Sequence, residues 1–390
     1  MIDRTLSFWA AGLSLFIGGG VFIHLLNRQL KLVDLGRGQV KRTLITFLVW
    51  IVGSMGIALA TLLFPGAWLR FYLLLVCAIL VIIIAGEVRL VIQRIRYRGA
   101  KPQERLSLRF NGRDFIRSTT PNNYLLRPIT TTDLQVVAYE VVRHVKMASS
   151  NPSAEIPIKV VAASDFHIHP EIPIQYYAKV IEQINLQDPD LVFLPGDFVT
   201  HLEDSACLVD LLRGIKARRG VYASLGNHDY WAGPDRVAAM VQQAGIQLLS
   251  NRSVELEYND QNSSVRMIIS GCDDPWGSPL WEPPHLEAGQ LLLILSHTPD
   301  NIYRLVQYPV AAVFSGHCHA GQFRIPGFGS VILPSGYGRR FDYGHFEFRG
   351  GAGNDPAHLF VSAGTGAANP PLRLYCQPDI FVVNFKLIPL

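Results

Sequence analysis

Five short motifs rich in aspartate, histidine and asparagine follow one another along the chain, and their side chains could hold metal ions. They are Asp165-Phe166-His167, Gly196-Asp197, Gly226-Asn227-His228-Asp229, His297 and Gly316-His317-Cys318-His319. Carboxylate, amide and imidazole donors suit hard to borderline divalent or trivalent ions, and no thiolate is required. Bound ions of this kind can activate water and polarise phosphoryl oxygens, so the motifs indicate metal-assisted hydrolysis.

Each motif comes directly after a short apolar run that is typical of a buried β-strand. The runs are residues 160–163, 191–194, 221–225, 291–295 and 311–314. In α/β sheets, active sites gather on the loops beyond the carboxyl ends of the strands. Five such loops in succession therefore predict one shared site.

In this order the motifs resemble the pattern DxH, GDxxD, GNH[DE], H and GHxH of the calcineurin-like metallophosphoesterase superfamily. The resemblance covers residues 158–390, and the segments 334–340 and 371–373 are similar to its bacterial, membrane-associated, YkuE-like branch. It implies a metal-dependent phosphoric ester hydrolase. It also implies an α/β fold, a four-layer α/β/β/α sandwich, here preceded by an N-terminal transmembrane helical region.

The resemblance implies a pair of metal ions and assigns their ligands, with Asp197 as the carboxylate shared by both ions. The ligands implied for the first ion are Asp165, His167, Asp197 and His319, and those for the second are Asp197, Asn227, His297 and His317. Two ions about 3.5–4 Å apart can stabilise both the attacking and the leaving oxygens of an in-line phosphoryl displacement. The sequence leaves the ions open among Mn, Zn and Fe, as a divalent or mixed-valence pair.

His228 directly follows a ligand, and the resemblance implies that it is catalytic, as general acid to the leaving oxygen. One position departs from the family pattern, because many relatives carry an Asp that orients this histidine and an Arg that contacts phosphate. Here Thr200 and His201 stand at those positions. Three nearby carboxylates could take over the orienting role: Glu203, Asp204 or Asp229.

Candidates for contact with the substrate lie outside the ligand set. His201, Tyr337, Arg340 and Arg373 are the candidates, since an arginine fork suits phosphate recognition. Trp276 and Trp281 lie in a proline-rich stretch that could form an apolar lip facing a bilayer or an ordinary packed loop. Other histidines, such as His358, are interpreted as structural or solvated.

The N-terminal part of the chain carries a membrane signal. Residues 1–113 hold 15 Lys/Arg against 4 Asp/Glu, whereas the remainder holds 20 against 27. Apolar runs occupy residues 6–26, 44–64 and 71–86; the first two are long enough to cross a hydrocarbon core, and the third is marginal. The basic charge beside them indicates anionic lipid headgroups, and the acidic remainder disfavours a nucleic-acid partner.

The loops between these runs predict the orientation. Residues 27–43 contain five Lys/Arg and residues 65–70 contain one, which places the segment after the third run in the cytoplasm. Five cysteines without framework spacing agree with a reducing compartment. We therefore expect a multi-pass protein of the bacterial cytoplasmic membrane with a cytoplasmic catalytic domain.

The predicted domain plan has three parts. Residues 1–92 form a transmembrane region of about three helices, residues 93–134 a juxtamembrane linker, and residues 135–390 the metallophosphoesterase domain. Within that domain, residues 134–147 read as a strand that pairs, after a Ser/Asn/Pro turn, with residues 158–163. Further on, strands alternate with helix-like stretches at 176–185, 205–216 and 235–244.

Three functions remain open. The first is a membrane-anchored phosphoesterase acting on a lipid-linked phosphodiester or pyrophosphate, for example a UDP-diacylglucosamine-type glycolipid precursor, with membrane lipids as its other partner. The second is the same chemistry on a soluble substrate such as a cyclic nucleotide. The third is a non-enzymatic membrane scaffold with a degenerate site, which only Thr200 favours. The sequence indicates no particular protein partner.

Overall fold

A computed structural model describes residues 67–117, 128–149, 155–260, 263–287, 290–350, 352 and 355–390, with Trp9, Gly12, Gly53 and Gly56. The first two predicted membrane runs lie outside these residues, apart from those four positions. The chain divides into two units. The smaller comprises Met1–Arg96 and Val331–Arg340, and the larger comprises Tyr97–Ser330 and Phe341–Leu390.

The smaller unit is built on helix α1 (Ala67–Arg96), which contains the third predicted run. Contacts to Arg339 and Arg340 tie the segment Val331–Arg340 to this helix: Glu87 pairs with Arg339, and Arg340 donates to the Gln93 side chain. Among the described helices, none is both long and apolar enough to cross a membrane.

The larger unit contains two β-sheets. In chain order the strands are β1 (Glu104–Phe110), β2 (Phe115–Arg117), β3 (Asp133–Val145), β4 (Met147–Ser149), β5 (Ile156–Ala162), β6 (Leu191–Pro195), β7 (Gly220–Ser224), β8 (Gln247–Leu248), β9 (Ser253–Asp260), β10 (Ser263–Cys272), β11 (Leu291–Ser296), β12 (Val310–Ser315), β13 (Arg324–Ile325), β14 (Gly329–Ser330), β15 (Gly344–Phe348), β16 (Ala357–Val361) and β17 (Asp379–Pro389). Its helices are α2 (Ile174–Leu186), α3 (Leu208–Arg213), α4 (Asn227–Ala232), α5 (Pro234–Gln243) and α6 (Ile302–Leu305).

The first sheet has the order β2-β1-β3-β17-β5-β6-β7-β8, and the second has the order β15-β16-β12-β11-β10-β4, with β9 also paired to β10. Apolar side chains from both sheets, among them Phe193, Leu293 and Phe314, form one core cluster between them. A second cluster packs α2, α3 and α5 on the first sheet. The mixed α/β fold is confirmed, and the helical layer over the second sheet stays a prediction.

One predicted strand pairing is wrong. Residues 134–147 do form a strand, β3, but it does not pair with β5, because the C-terminal strand β17 lies between them. Phe381 of β17 is opposite Val137 of β3 on one side and Ala162 of β5 on the other. A partner more than 200 residues away leaves no local signal, so the turn after β3 suggested a hairpin instead.

The segment predicted as a linker also contributes to the sheet. Strand β1 pairs antiparallel with β3 through six residues, and β2 extends the sheet beyond it. Leu106, Leu108 and Phe110 alternate with the more polar Arg105, Ser107 and Arg109 along β1. This period of two is the pattern of a half-buried strand, and the polar composition of the segment obscured it.

Candidate metal centre

The five motifs lie at the carboxyl ends of β5, β6, β7, β11 and β12, as the apolar runs predict. Their side chains meet in two groups, in each of which potential ligand atoms lie within 4.8 Å of one another. The first group is Asp165, His167, Asp197 and His319, and the second is Asp197, His297 and His317. Asn227 adjoins the second group, since its Oδ1 lies 3.2 Å from His297 Nε2.

Asp197 belongs to both groups. Its Oδ2 atom lies 3.3 Å from His167 Nε2 and 3.1 Å from His297 Nε2. Its Oδ1 atom accepts the backbone N–H of His228 at 2.9 Å. One carboxylate oxygen is therefore placed between an imidazole of each group.

The first group is completed by Asp165 and His319. His319 Nε2 lies 3.0 Å from His167 Nε2 and 3.3 Å from Asp165 Oδ1. Asp165 Oδ2 accepts the Ser164 hydroxyl at 2.5 Å, and its Oδ1 accepts the backbone N–H of His317 at 2.9 Å. Two ring nitrogens and a carboxylate oxygen thus converge on one small volume.

Residues outside the two groups form hydrogen bonds to the Nδ1 atoms of His297 and His167, so that Nε2 of each ring faces the other ligands. His297 Nδ1 lies 2.6 Å from the Pro195 carbonyl, which can only accept, so Nδ1 carries the proton. Thr200 Oγ1 lies 2.8 Å from His167 Nδ1. In metal sites such outer partners fix the histidine tautomer and leave Nε2 available for the ion. Thr200 therefore serves His167 rather than His228.

Asp229, one of the carboxylates considered for orienting His228, has another role. Its side chain is buried and accepts the backbone N–H groups of Asp197, Phe198 and Gly226 at 2.7–3.0 Å. It therefore holds the loops after β6 and β7 together. Burial raises the pKa of Asp229 to about 8. The ring of His228 packs instead between His167 and Trp231, with centroids 4.6 and 4.8 Å away.

Arg373 is not positioned to contact a substrate. Its side chain is completely buried, and its guanidinium donates to the carbonyls of Ala363 and Gly366 at 2.6 and 2.7 Å. Its Nη2 atom lies 3.2 Å from Nδ1 of His319. Arg373 thus packs behind His319, which corrects its interpretation as a phosphate-binding residue.

The other three candidates for substrate contact stay predictions. His201 is exposed, and its Nε2 lies 3.2 Å from Asn369 Nδ2. Tyr337 and Arg340 belong to the smaller unit, where the guanidinium carbon of Arg340 lies 5.5 Å from the centroid of the Tyr337 ring.

Two tryptophans lie near the groups: Trp276, which the sequence assigned to an apolar lip or a packed loop, and Trp231, which the sequence analysis did not single out. Trp276 packs against His297 and His317, with ring centroids 5.8 and 5.3 Å apart, and Trp231 lies beside His228. Trp281 is buried and donates its Nε1–H to Ser270, so it belongs to a packed loop.

The backbone at the site is strained. Asp165, His167, Asp197, His317 and His319 have φ values of 52°, 38°, 57°, 65° and 48°. Left-handed conformations cost non-glycine residues of order 1–3 kcal/mol each and cluster at functional sites. The loops also approach closely, because a Cβ on Gly226 would lie 2.2 Å from Asp197 Oδ1 and one on Gly316 2.0 Å from Asp165 Oδ2.

The electrostatics of the groups favour a cation. Burial would lower the pKa of His297, but the carboxylates of Asp197 and Asp165 raise it to about 9. Burial lowers the pKa of His319 well below its usual range and that of His228 to about 4. Buried carboxylates and imidazoles that share one small volume are the donor set that borderline divalent ions prefer, and a bound cation would replace the proton of His297, so the residues present fit such ions.

These loops and side chains define a metal-dependent hydrolase. Residues 158–321 match the calcineurin-like phosphoesterase family, and the chain is similar to metallophosphoesterases of the YkuE-like branch. It is 28% identical over 254 residues to the uncharacterized metallophosphoesterase YkuE of Bacillus subtilis, which covers 63% of this chain and 85% of that protein. It is also 28% identical over 252 residues to the phosphodiesterase YaeI of Escherichia coli, with 63% and 88% covered.

A more distant relative is the UDP-2,3-diacylglucosamine pyrophosphatase LpxG of Chlamydia muridarum. The identity is 26% over 219 residues, which cover 43% of this chain and 65% of the relative. The matched part therefore spans just under two thirds of that protein.

We expect Thr200→Val to weaken metal binding without changing the chemistry at saturating metal. Valine has nearly the shape of threonine but cannot bond to Nδ1 of His167. Loss of such an outer partner typically costs about 10–100-fold in metal affinity. Activity titrated with Mn²⁺ in chelator buffers measures this, and Thr200→Ser should retain wild-type affinity. A reduced kcat at saturating Mn²⁺ would instead indicate that Thr200 acts on catalysis directly.

Proposed function

We propose that this chain is a membrane-anchored phosphoesterase that uses two metal ions to hydrolyse a lipid-linked phosphodiester or pyrophosphate. The proposal of two metal ions rests on the position of Asp197 Oδ2, which lies 3.3 Å from His167 Nε2 and 3.1 Å from His297 Nε2. A carboxylate with one imidazole of each group on either side is suited to joining two ions.

The ligands follow from the two groups. Asp165, His167, Asp197 and His319 would hold one ion, and Asp197, Asn227, His297 and His317 the other. When bound, such a pair of ions supplies an activated water and stabilises the charge of the phosphoryl group during in-line displacement.

His228 is proposed as the residue that gives a proton to the leaving oxygen; burial lowers its pKa to about 4, so the negative charge of a bound phosphate ester would have to raise it for the ring to hold that proton. Its backbone N–H bonds to Asp197, which fixes the residue beside the shared carboxylate. Its ring belongs to neither group, packs edge-on against His167, and is only partly buried. An imidazole at the edge of a site can reach the substrate, whereas the enclosed ring of His297 cannot.

Two features support a lipid-linked substrate. Trp231, beside His228, is 48% exposed and offers a flat apolar surface at the edge of the site. The relative LpxG is named for a diacylated nucleotide sugar, whose pyrophosphate bond joins a lipid-bearing sugar to a nucleotide. The proposed substrate class shares that chemistry.

The apolar N-terminal part supports the membrane anchor. Helix α1 exposes apolar side chains, among them Val81, Ile82, Ile84 and Ile95, each more than half exposed. Exposed apolar surface of this kind marks contact with lipid or protein. Together with the runs at residues 6–26 and 44–64, it favours a membrane as the site of action, and the five Lys/Arg of residues 27–43 favour its cytoplasmic face.

The test compares substrates and metals on the purified full-length chain. After removal of metal with EDTA, turnover should fall to background, and Mn²⁺ should restore it. In mixed micelles, a UDP-diacylglucosamine-type lipid should be hydrolysed with kcat/KM at least about tenfold above that of a cyclic nucleotide, because the lipid is concentrated with the enzyme. Preference for the cyclic nucleotide would favour a soluble substrate. No turnover of any phosphoester by metal-loaded protein would favour the scaffold.

A further inference from the structure

A third cluster of potential ligands lies on the edge of the second sheet. It consists of His345 and Glu347 on β15 and His358 on β16, and it shares no residue with the candidate metal centre. Glu347 is directly opposite His358 in the strand register, and His345 is opposite Phe360. Residues two apart on one strand point to the same face. All three side chains therefore project from one face of the β15–β16 pair.

The ligand atoms of the cluster are close to one another. His345 Nε2 lies 2.9 Å from His358 Nδ1, and a Glu347 carboxylate oxygen lies within 4.8 Å of both nitrogens. Both histidines are buried, whereas the Glu347 carboxylate is partly exposed. The cluster therefore has a path to solvent on the side of the carboxylate.

The tautomer of His345 is set by the backbone. Its Nδ1 lies 3.3 Å from the Ala100 carbonyl, which accepts, so Nδ1 carries the proton and Nε2 presents a lone pair toward His358. Gly99 permits this approach, because a Cβ there would lie 2.4 Å from His345 Nδ1. A backbone carbonyl that fixes the outer nitrogen of a histidine is a common arrangement behind metal ligands.

The surroundings keep the imidazoles neutral. Burial lowers the pKa of His345, and burial together with His345 and Arg143 lowers the pKa of His358 to about 3. The charge of Arg143 is offset by Asp355, 3.8 Å away, and its guanidinium donates to the carbonyls of Pro356 and Val310. Because His345 Nε2 carries no proton, His358 Nδ1 donates to it, and an ion bound between the rings would require His358 to carry its proton on Nε2 instead.

We propose that His345, Glu347 and His358 form a mononuclear site for zinc or a similar borderline divalent ion. Two imidazoles and one carboxylate are a donor set that zinc uses, with a fourth position left to water. The ion would take the place of the hydrogen bond between the two rings. It would join the edge strand β15 to β16 and fix the segment that runs beside β15, where Gly99 N–H donates to His345 O.

The site lies apart from the candidate metal centre. His358 pairs with Ala312, four positions before Gly316, so the cluster lies back from the strand ends that carry the candidate metal centre. His345 stacks on Phe360 and packs edge-on against Tyr139, within the core of the unit. Binding of an ion here should therefore change metal content and stability more than the rate of phosphoester hydrolysis.

The test measures zinc content by mass spectrometry of the full-length chain after equilibration with Zn²⁺ and gel filtration. Glu347→Gln should bind one equivalent less than the wild type, or bind it at least about tenfold more weakly, with its phosphoesterase activity retained. His144→Gln is the matched control, because His144 bonds to Asp355 and, among the described residues, belongs to no group of potential ligands. It should keep the full content.

A second readout uses cobalt. Co²⁺ added to the wild type should give a visible absorption band from this site that Glu347→Gln lacks and His144→Gln keeps. Equal zinc content and equal cobalt spectra in the wild type and Glu347→Gln would overturn the proposal, and leave a hydrogen-bonded histidine pair. A difference of one equivalent would support it even if no phosphoester were hydrolysed, so this test is independent of the proposed function.

Discussion

Replacing Asp197 with asparagine should abolish turnover and release about two equivalents of metal. Asp197 is the residue common to both groups, and its Oδ2 lies within 3.3 Å of an imidazole from each. Asparagine keeps the shape but removes the negative charge that would hold two cations together. Paired ions contribute several kcal/mol of transition-state stabilisation. Each loss of about 1.36 kcal/mol of transition-state stabilisation slows the reaction tenfold, so the rate should fall by more than about 10³-fold.

Elemental analysis and rates on the same preparations measure this effect. Asp210→Asn is a suitable control, because Asp210 is an exposed carboxylate on α3 that pairs only with Arg213 among the described residues. It should leave both quantities unchanged. If Asp197→Asn kept its metal and turned over normally, Asp197 could not be the shared ligand.

Local patterns explain why the motif positions were predictable. Each apolar run before a motif is buried along nearly its whole length, as in β6, β11 and β12, and such runs are recognisable without knowledge of their partners. The carboxyl ends of those strands then bring the motifs together. The order of strands was harder, because β17 and β3 meet across about 240 residues of chain. Nothing in either segment specifies the other.

The contacts that support the two ligand groups from outside could not be predicted from the sequence either. Thr200 looked like a lost orienting residue, but its hydroxyl meets His167. Arg373 looked like a phosphate contact, but it is buried behind His319. In both cases the residue type indicated a role near the site. The sequence did not identify the residue that it contacts, because that residue lies on a different loop. The same holds for His358, which gains a possible function only from its place opposite Glu347.

Replacing His228 with asparagine should slow the chemistry while both metal ions stay bound. The ring of His228 belongs to neither group of potential ligands, and it lies at the partly exposed edge of the site beside Trp231. A residue that donates a proton to the leaving oxygen typically contributes about 10²–10⁴-fold to the rate. The loss should depend on the leaving group, since p-nitrophenolate departs without a proton and an alkoxide does not.

The measurement therefore compares two substrates and the metal content of one variant. His228→Asn should lose about 10²–10⁴-fold in kcat on an alkyl phosphodiester and much less on a p-nitrophenyl diester. His144→Asn, which changes a histidine on the surface of β3, should match the wild type on both. An equal loss on both substrates would argue against proton donation. Loss of a metal ion from His228→Asn would show that this residue is a ligand, because a group that only donates a proton leaves the ions in place.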